Sequence, residues 1–331
     1  DMPITVLTKD PKATRLAYRV RTAGRMDIFT WEKAMHHAAL YINGGGSLIQ
    51  DVTSRRSLWF YLHNIQAAHK AGCKVQMYGC GIGPIVYARD KKMAAHVINT
   101  CVDKITLREP DSRETLREFG VTAPEVILAS DPALTLPAAE HSRIDSILRA
   151  HDMDIGGKYI GFVLRKWPGM EEKATVFAAG AVYAYLKYGL TPVFLGINFR
   201  ADGEAGQLVT EHLSIPFYRI DEQMTSGEVI GVLSRMTAVV SMRLHGLIFA
   251  AGQGVPLVGV VYDPKVSAFL SYMGQELYED LSRLSTESLC AKLDQALALG
   301  ADPTALKEGV ERLRHIEQHN SDTMRKLLQV P

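Results

Sequence analysis

Two short segments concentrate side chains able to do chemistry: Arg243-Leu244-His245-Gly246 and Asp263-Pro264-Lys265. The first lies where the apolar run TAVVSM (237–242) meets the apolar stretch LIFAAGQG, so a fixed cation and an imidazole stand together at the start of a helix. A helix N-terminus favours anions and lowers the proton affinity of a histidine placed there. The chemistry this suggests is capture of an anion with an acid–base group beside it. Lys265 follows the next apolar run, PLVGVVY (256–262), and is expected at the same pocket; the alternative is an ordinary lysine in a surface turn.

Other apolar runs end in similar material. ALYI (39–42) leads into Asn43-Gly44-Gly45-Gly46-Ser47, then Gln50-Asp51 and Thr53-Ser54-Arg55-Arg56-Ser57. KVQMYG (74–79) leads into Cys80-Gly81-Ile82-Gly83-Pro84, KITL (104–107) into Arg108-Glu109, and VILA (126–129) into Ser130-Asp131-Pro132. YIGFVL (159–164) ends in Arg165-Lys166. Glycine loops let the backbone approach a ligand and expose N–H groups at a helix start. Neither loop has the P-loop or dinucleotide-binding spacing, and each taken alone reads equally as a tight strand-to-helix turn.

These residues need a scaffold that delivers strand ends to one edge. Eight short apolar runs, the seven above and PVFLGI (192–197), alternate with helical segments such as 58–72 and 112–120, which stop on Gly72 and Gly120. Alternation of this kind predicts parallel sheets with right-handed crossovers, and ligands beyond the carboxyl ends of the strands. The rhythm pauses between Asp131 and Tyr159, which places a boundary near 137–157. The expected division is an N-terminal α/β domain over 1–140, a second over 155–302, and polar helices over 303–331 packing back across the junction. At 331 residues with 47% hydrophobic and 22% charged residues, two soluble domains are affordable. Lys plus Arg is 37 against 36 for Asp plus Glu, so global charge gives no sign of nucleic-acid binding and an anion must be met by a local cluster. The four cysteines have no metal-binding spacing and read as buried thiols of a reducing compartment. No run approaches the ~20 apolar residues of a membrane span, and ITVLT opens as a strand with no signal segment before it; cytoplasmic residence is expected, with contact to a membrane surface allowed.

Six ordered stretches, GGGSLIQDVTSRRSLWFY, YGCGIGPI, LREPDS, SDPAL, SMRLHGLIFAA and VYDPKVSAF, together resemble the polysaccharide pyruvyltransferase family, most closely its CsaB type. The resemblance spans roughly residues 4–300. It implies two Rossmann-like domains in a glycosyltransferase-B-like arrangement with a cleft between them. Phosphoenolpyruvate is the implied donor, with no metal and no cofactor. The implied acceptor is an N-acetylmannosamine of an undecaprenyl-diphosphate-linked disaccharide, which receives a 4,6-ketal used to anchor S-layer proteins. Arg108, His245 and Lys265 fall on the family's functional positions. Members usually open with a strand and a Gly-Asn-x-Gly-Asp-type loop, which this sequence does not contain; that loop is expected to help hold the acceptor.

Phosphoenolpyruvate carries about three negative charges, for which arginine forks are suited. Arg108, Arg243, Leu244, His245 and Lys265 are the expected donor site, with helix N–H groups assisting. Gly45, Gly46, Asp51, Ser54 and Arg56 are expected on the acceptor side. His245 is the candidate general acid, Lys265 the group that stabilises departing phosphate, and Asp51, Asp131 and Asp263 are candidate bases, Asp51 first. The competing reading is a nucleotide-sugar glycosyltransferase of the same architecture, for which GQGVPLVGV is suitable. The absence of a glutamate in HGLIFAAGQG argues against a ribose contact there. A non-catalytic glycan-binding protein is a third reading, opposed by the presence of all four cationic or imidazole positions.

Overall fold

Short apolar runs rich in Val, Ile and Leu suit the strands of parallel sheets that helices cover. In a computed structural model, residues 2–25, 27–301 and 303–329 are described, 200 and 201 by their backbone alone. The expected domain limits at 1, 302 and 331 therefore lie outside the described residues. The chain divides into two units: one runs to Asp131 and resumes at Ile316, and the other is Pro132–His315.

In the first unit, β1 (Thr5–Thr8), α1 (Pro11–Tyr18) and β2 (Arg21–Gly24) make a parallel two-stranded sheet with its crossover helix. Asp10 caps α1 by accepting from Ala13 N at 2.9 Å, and Pro11 stands at its first position. There follow α2 (Ile28–His36), β3 (Leu40–Asn43), β4 (Gly46–Ile49), α3 (Arg55–Lys70), β5 (Lys74–Ile82) and α4 (Ala88–Cys101). Then come β6 (Lys104–Leu107), α5 (Asp111–Glu118) and β7 (Glu125–Leu128). The sheet order is β3-β5-β6-β7, all parallel, with β4 also on β5. Its core joins Leu58, Leu62 and Ile65 of α3 to Val75 and Met77 of β5 and Leu107 of β6, all buried.

Two sequence expectations about glycine loops are corrected. β3 pairs with the first half of β5 and β4 with its end, Gly46 opposite Cys80 and Ile49 opposite Ile82. Gly44 and Gly45 therefore interrupt one edge lane rather than form a strand-to-helix turn, and α3 starts only after Ser54. Likewise Gly79-Cys80-Gly81-Ile82 continues β5 instead of leaving it. Glycine permits this: Gly79 takes a φ of 53° where the pairing with β6 shifts register, a conformation unfavourable for other residues.

The second unit begins with a 3-10 turn (Pro132–Thr135) and α6 (His141–Ala150). It continues through β8 (Tyr159–Val163), α7 (Met170–Tyr188), β9 (Thr191–Leu195), α8 (Phe199–Thr210), β10 (Tyr218–Ile220) and α9 (Ser226–Leu233). β11 (Ala238–Ser241), α10 (Leu244–Gly252), β12 (Leu257–Val261), α11 (Pro264–Met273), β13 (Tyr278–Asp280) and α12 (Thr286–Ala301) follow. The last helix, α13 (Thr304–Leu328), belongs to this unit up to His315. The sheet order β10-β9-β8-β11-β12-β13 is parallel throughout. The chain moves from β8 to one side and then returns to the other, so the topological switch point lies between β8 and β11.

The division falls at Asp131–Pro132 rather than within 137–157. The segment expected to hold the boundary packs on the second unit: Ala139 N donates to Gly227 O at 2.8 Å, and Arg143 pairs with Glu228 at 2.6 Å. The end of α13 belongs to the first unit, where Gln76 Nε2 donates to Asn320 O at 3.1 Å and Asn320 Nδ2 to Ser130 O at 3.0 Å. Among the described residues no helix is long and apolar enough to cross a membrane.

Candidate active site

At the switch point of the second unit, β11 turns sharply into α10. The Ser241 hydroxyl holds the turn: it accepts from Arg243 N at 3.0 Å and donates to Arg243 O at 2.8 Å, with Val163 O at 3.3 Å. Gly246 lets the helix approach this closely, since a Cβ there would lie 2.5 Å from Ser241 Oγ and 3.1 Å from Val163 Cγ1. Leu244 is buried beneath the turn. His245 is half-buried in the first turn of α10, its ring 5.8 Å from that of Phe249. Among the described residues no side-chain cap bond is made at the Arg243 N-cap of α10, which leaves the helix N-terminal dipole for an anion.

The cations around this turn come from three adjacent strand ends. Arg243 follows β11 and is gripped by Asp202 of α8, whose Oδ1 and Oδ2 accept from Nε at 2.9 and 3.1 Å, Oδ1 also accepting from Nη2. Asp202 is buried and accepts a further bond from Asn198 N at 2.9 Å, so the guanidinium has a fixed support. Arg165 follows β8. Its Nη1 donates to Tyr262 Oη at 2.7 Å, and its guanidinium lies 4.9 Å from the Trp167 ring and 5.0 Å from the Tyr262 ring. Lys265 opens α11 after β12, with Nζ 2.7 Å from Asp263 Oδ2 and 5.6 Å from the Tyr262 ring. Since β11 lies between β8 and β12, these groups bracket the β11–α10 turn. The sequence reading put Arg165 at a strand end but did not include it in the site. Its signal was its position after the first strand of the second sheet.

The first unit carries the other expected residues. Arg108 is 6% exposed and pairs through Nη1 with Asp131 at 3.0 Å. Its Nη2 donates to Ser47 Oγ at 3.1 Å, while Nε is buried with no hydrogen-bond partner among the described residues. Gly81 leaves room for this side chain, because a Cβ there would lie 3.1 Å from both Nε and Nη2. Ser47 was named with the glycine loop but given no role, because the sequence did not show the strand that carries it. Nearby, burial raises the Glu109 carboxyl above its ordinary value although Ser112 donates to it, and burial pushes the Cys80 thiol up to about 12.

Asp51 has a different occupation from the one its position suggested. Both carboxylate oxygens accept backbone N–H groups, from Val86 at 2.8 Å and Tyr87 at 3.0 Å, so the carboxylate shapes the turn before α4. Ser54 caps α3 by accepting from Ser57 N at 3.2 Å. Gly45 lies in the lane break, Gly46 opens β4, and Arg56 is exposed in the first turn of α3. Its neighbour Arg55 forms the ordered pair instead, binding Asp90 at 2.7 and 3.1 Å beneath the rings of Trp59 and Tyr87. The described residues include no group of three or more His, Cys, Asp or Glu side chains able to hold a metal ion.

Comparison with known proteins bears on both fold and site. The profile of a family described as polysaccharide pyruvyl transferase matches residues 1–264. No curated protein matches the chain. Among solved structures, it is similar to HepE from Anabaena in complex with UDP-glucose, at a TM-score of 0.61 and 12% identity over 95% of this chain and 88% of that one. It is also similar to UDP-GlcNAc 2-epimerase from Neisseria meningitidis bound to UDP-GlcNAc, at 0.64 and 12% over 99% and 91%. A glycosyltransferase from Rickettsia africae gives 0.61 and 10% over 98% and 90%. At these identities the likeness is one of fold: two Rossmann-like units of the glycosyltransferase-B kind.

Proposed function

The chain belongs to the polysaccharide pyruvyl transferase family, and from that premise we propose that it transfers pyruvyl from phosphoenolpyruvate to two hydroxyls of a sugar as a cyclic ketal, releasing phosphate. The observation that carries the donor assignment is the β11–α10 junction: an uncapped helix N-terminus, Arg243 braced by buried Asp202, and His245 in the first turn. Arg165 and Lys265 add positive charge from the flanking strand ends. Such an arrangement suits an anion bearing both phosphate and carboxylate.

In the proposed sequence, His245 as imidazolium protonates C3 of the donor, which becomes the methyl group, and C2 becomes an oxocarbenium-like electrophile. One sugar hydroxyl adds to C2 and loses its proton. The C2–O bond to phosphate then breaks, with the electron pair leaving on phosphate and Lys265 stabilising that charge. The second hydroxyl adds to C2, loses its proton and closes the ring. One of the two hydroxyl protons restores the imidazolium; the other leaves with phosphate. Arg108, by its motif, is a further anion-binding group. Asp51 is reassigned from base to positioning residue, because its oxygens already accept two backbone donors. Asp131 and Asp263 each brace a cation, Arg108 and Lys265.

The finer reading follows the CsaB type: an N-acetylmannosamine of a lipid-linked disaccharide, modified as a 4,6-ketal at the cytoplasmic face of the membrane for cell-wall polymer synthesis and S-layer anchoring. A nucleotide-sugar glycosyltransferase is the second reading, favoured by likeness to structures holding UDP-glucose and UDP-GlcNAc. Against it, α10 has no carboxylate for a ribose. Thermal melting with each donor separates the two, since a ligand at a hundred times its Kd stabilises by about 2.7 kcal/mol. Phosphoenolpyruvate is expected to raise Tm while UDP-sugars leave it unchanged; a rise with a UDP-sugar alone overturns the proposal.

A further inference from the structure

Beside the cationic edge of the second unit lies a pocket of about 540 Å³ whose chemistry is opposite to that of the edge. It opens where β12 and β13 end and where the segment after β8 enters α7. Its volume is within the ordinary range for a small-molecule site. Trp167 forms one wall. The residue is 38% exposed, yet its indole is held by Tyr262 at 4.8 Å between ring centroids and by the Arg165 guanidinium at 4.9 Å. An exposed aromatic ring held by neighbouring groups is an apolar plate with its orientation already set.

The polar lining is acidic. Glu172 and Asp280 border the pocket, and neither has an ion pair among the described residues. The lining cation, Lys173, directs its ammonium to Leu284 O at 2.8 Å. Asp263 also borders the pocket and binds Lys265 at 2.7 Å. A trianionic donor is repelled by such a lining. A neutral polyol is suited to it: its hydroxyls donate to carboxylates, which only accept, while its C–H face lies on the indole.

We propose that this pocket is a saccharide subsite, with Trp167 as the stacking surface and Glu172 and Asp280 as hydroxyl acceptors for one neutral N-acetylhexosamine unit. The inference rests on the pyruvyl-transfer reading only for what the bound sugar is used for. Two residues join the pocket to the donor groups: Asp263 braces Lys265, and Tyr262 accepts from Arg165 Nη1 at 2.7 Å. A sugar in the pocket is therefore one side chain away from the cations assigned to the donor. This adds sugar contacts in the second unit to those expected at Gly45, Gly46, Ser54 and Arg56 in the first.

Binding of the methyl glycoside of N-acetylmannosamine, followed by saturation-transfer NMR without donor, tests the subsite directly. Asp280→Ala, Glu172→Ala and Trp167→Ala are each expected to weaken it roughly tenfold or more, the loss of a hydrogen bond to a charged group or of a stacking face. In turnover assays Asp280→Ala is expected to raise the acceptor KM by a similar factor and to leave the phosphoenolpyruvate KM within about twofold. A wild-type protein that does not bind the glycoside, or variants that bind it as the wild type does, overturns the subsite even where acceptor-dependent phosphate release is intact. Loss of glycoside binding in the variants, with no phosphate release in any protein, upholds the subsite and removes the pyruvyl-transfer reading instead.

Discussion

Gly246→Ala probes the junction on which the proposed donor site depends. The added Cβ would lie 2.5 Å from Ser241 Oγ and 3.1 and 3.2 Å from Val163 Cγ1 and Cβ. Reaching ordinary contact distance takes a displacement on the order of 1 Å. The hydroxyl cannot simply rotate away, because it bonds Arg243 N and Arg243 O and faces Val163 O. The helix start must therefore shift, carrying His245 with it. Overpacking of this kind costs about 1–3 kcal/mol, which lowers Tm by roughly 4–8 °C for a mid-range value. The same shift displaces the proposed acid, for which a loss in kcat of roughly a hundredfold is expected. Differential scanning calorimetry and phosphate release measure the two effects. Gly156→Ala serves as the control, since a Cβ there meets nothing within 4 Å. A Gly246→Ala protein that melts and turns over like the control refutes the account of this turn.

Arg243→Met leaves Asp202 buried without its cation and is expected to destabilise the protein by about 3–5 kcal/mol in urea unfolding, with Arg243→Met/Asp202→Asn recovering part of the loss. The Arg55 guanidinium holds the Asp90 carboxyl below its ordinary value of 3.8. Stabilisation by that pair is therefore present above 3.8 and lost as pH falls through the lower folded value. The stability gap between wild type and Arg55→Met is expected to close across that acidic window; a gap independent of pH contradicts the pairing. Burial holds the Cys80 thiol up at about 12, so native protein labelled with a thiol reagent at roughly pH 8 is expected to leave Cys80 unmodified, whereas unfolded protein reacts there.

The parts legible in the sequence were those with strong periodicity. The eight apolar runs all became strands; those at the centre of the second sheet, β8, β11 and β12, are buried at every residue and have little alternative, while β3 and β7 lie half-buried at the edges of the first. β10 (Tyr218–Ile220) and β13 (Tyr278–Asp280) escaped notice: three residues at a sheet edge, half of whose surroundings are solvent, need no apolar run. β4 was hidden because its residues follow three glycines and take their order from pairing with β5. Among the candidate residues, Arg108 in the first unit and Arg243, His245 and Lys265 in the second do stand just after strands, where the sequence put them. Their partners could not be read there. Asp202 is 41 residues from Arg243 in sequence, and only the parallel order of the sheet brings α8 to that strand end. Asp51 misled for a related reason: a carboxylate after a glycine loop looks available until the backbone donors of Val86 and Tyr87 are seen on it.

The most direct measurement of the central claim is phosphate release from phosphoenolpyruvate with and without an N-acetylmannosamine-terminated lipid-linked disaccharide, with product analysis for a sugar ketal. The account predicts release only when the acceptor is present, one pyruvyl ketal for each phosphate, and loss of both on His245→Ala. Phosphate release that ignores the acceptor, or consumption of a UDP-sugar in place of phosphoenolpyruvate, contradicts it.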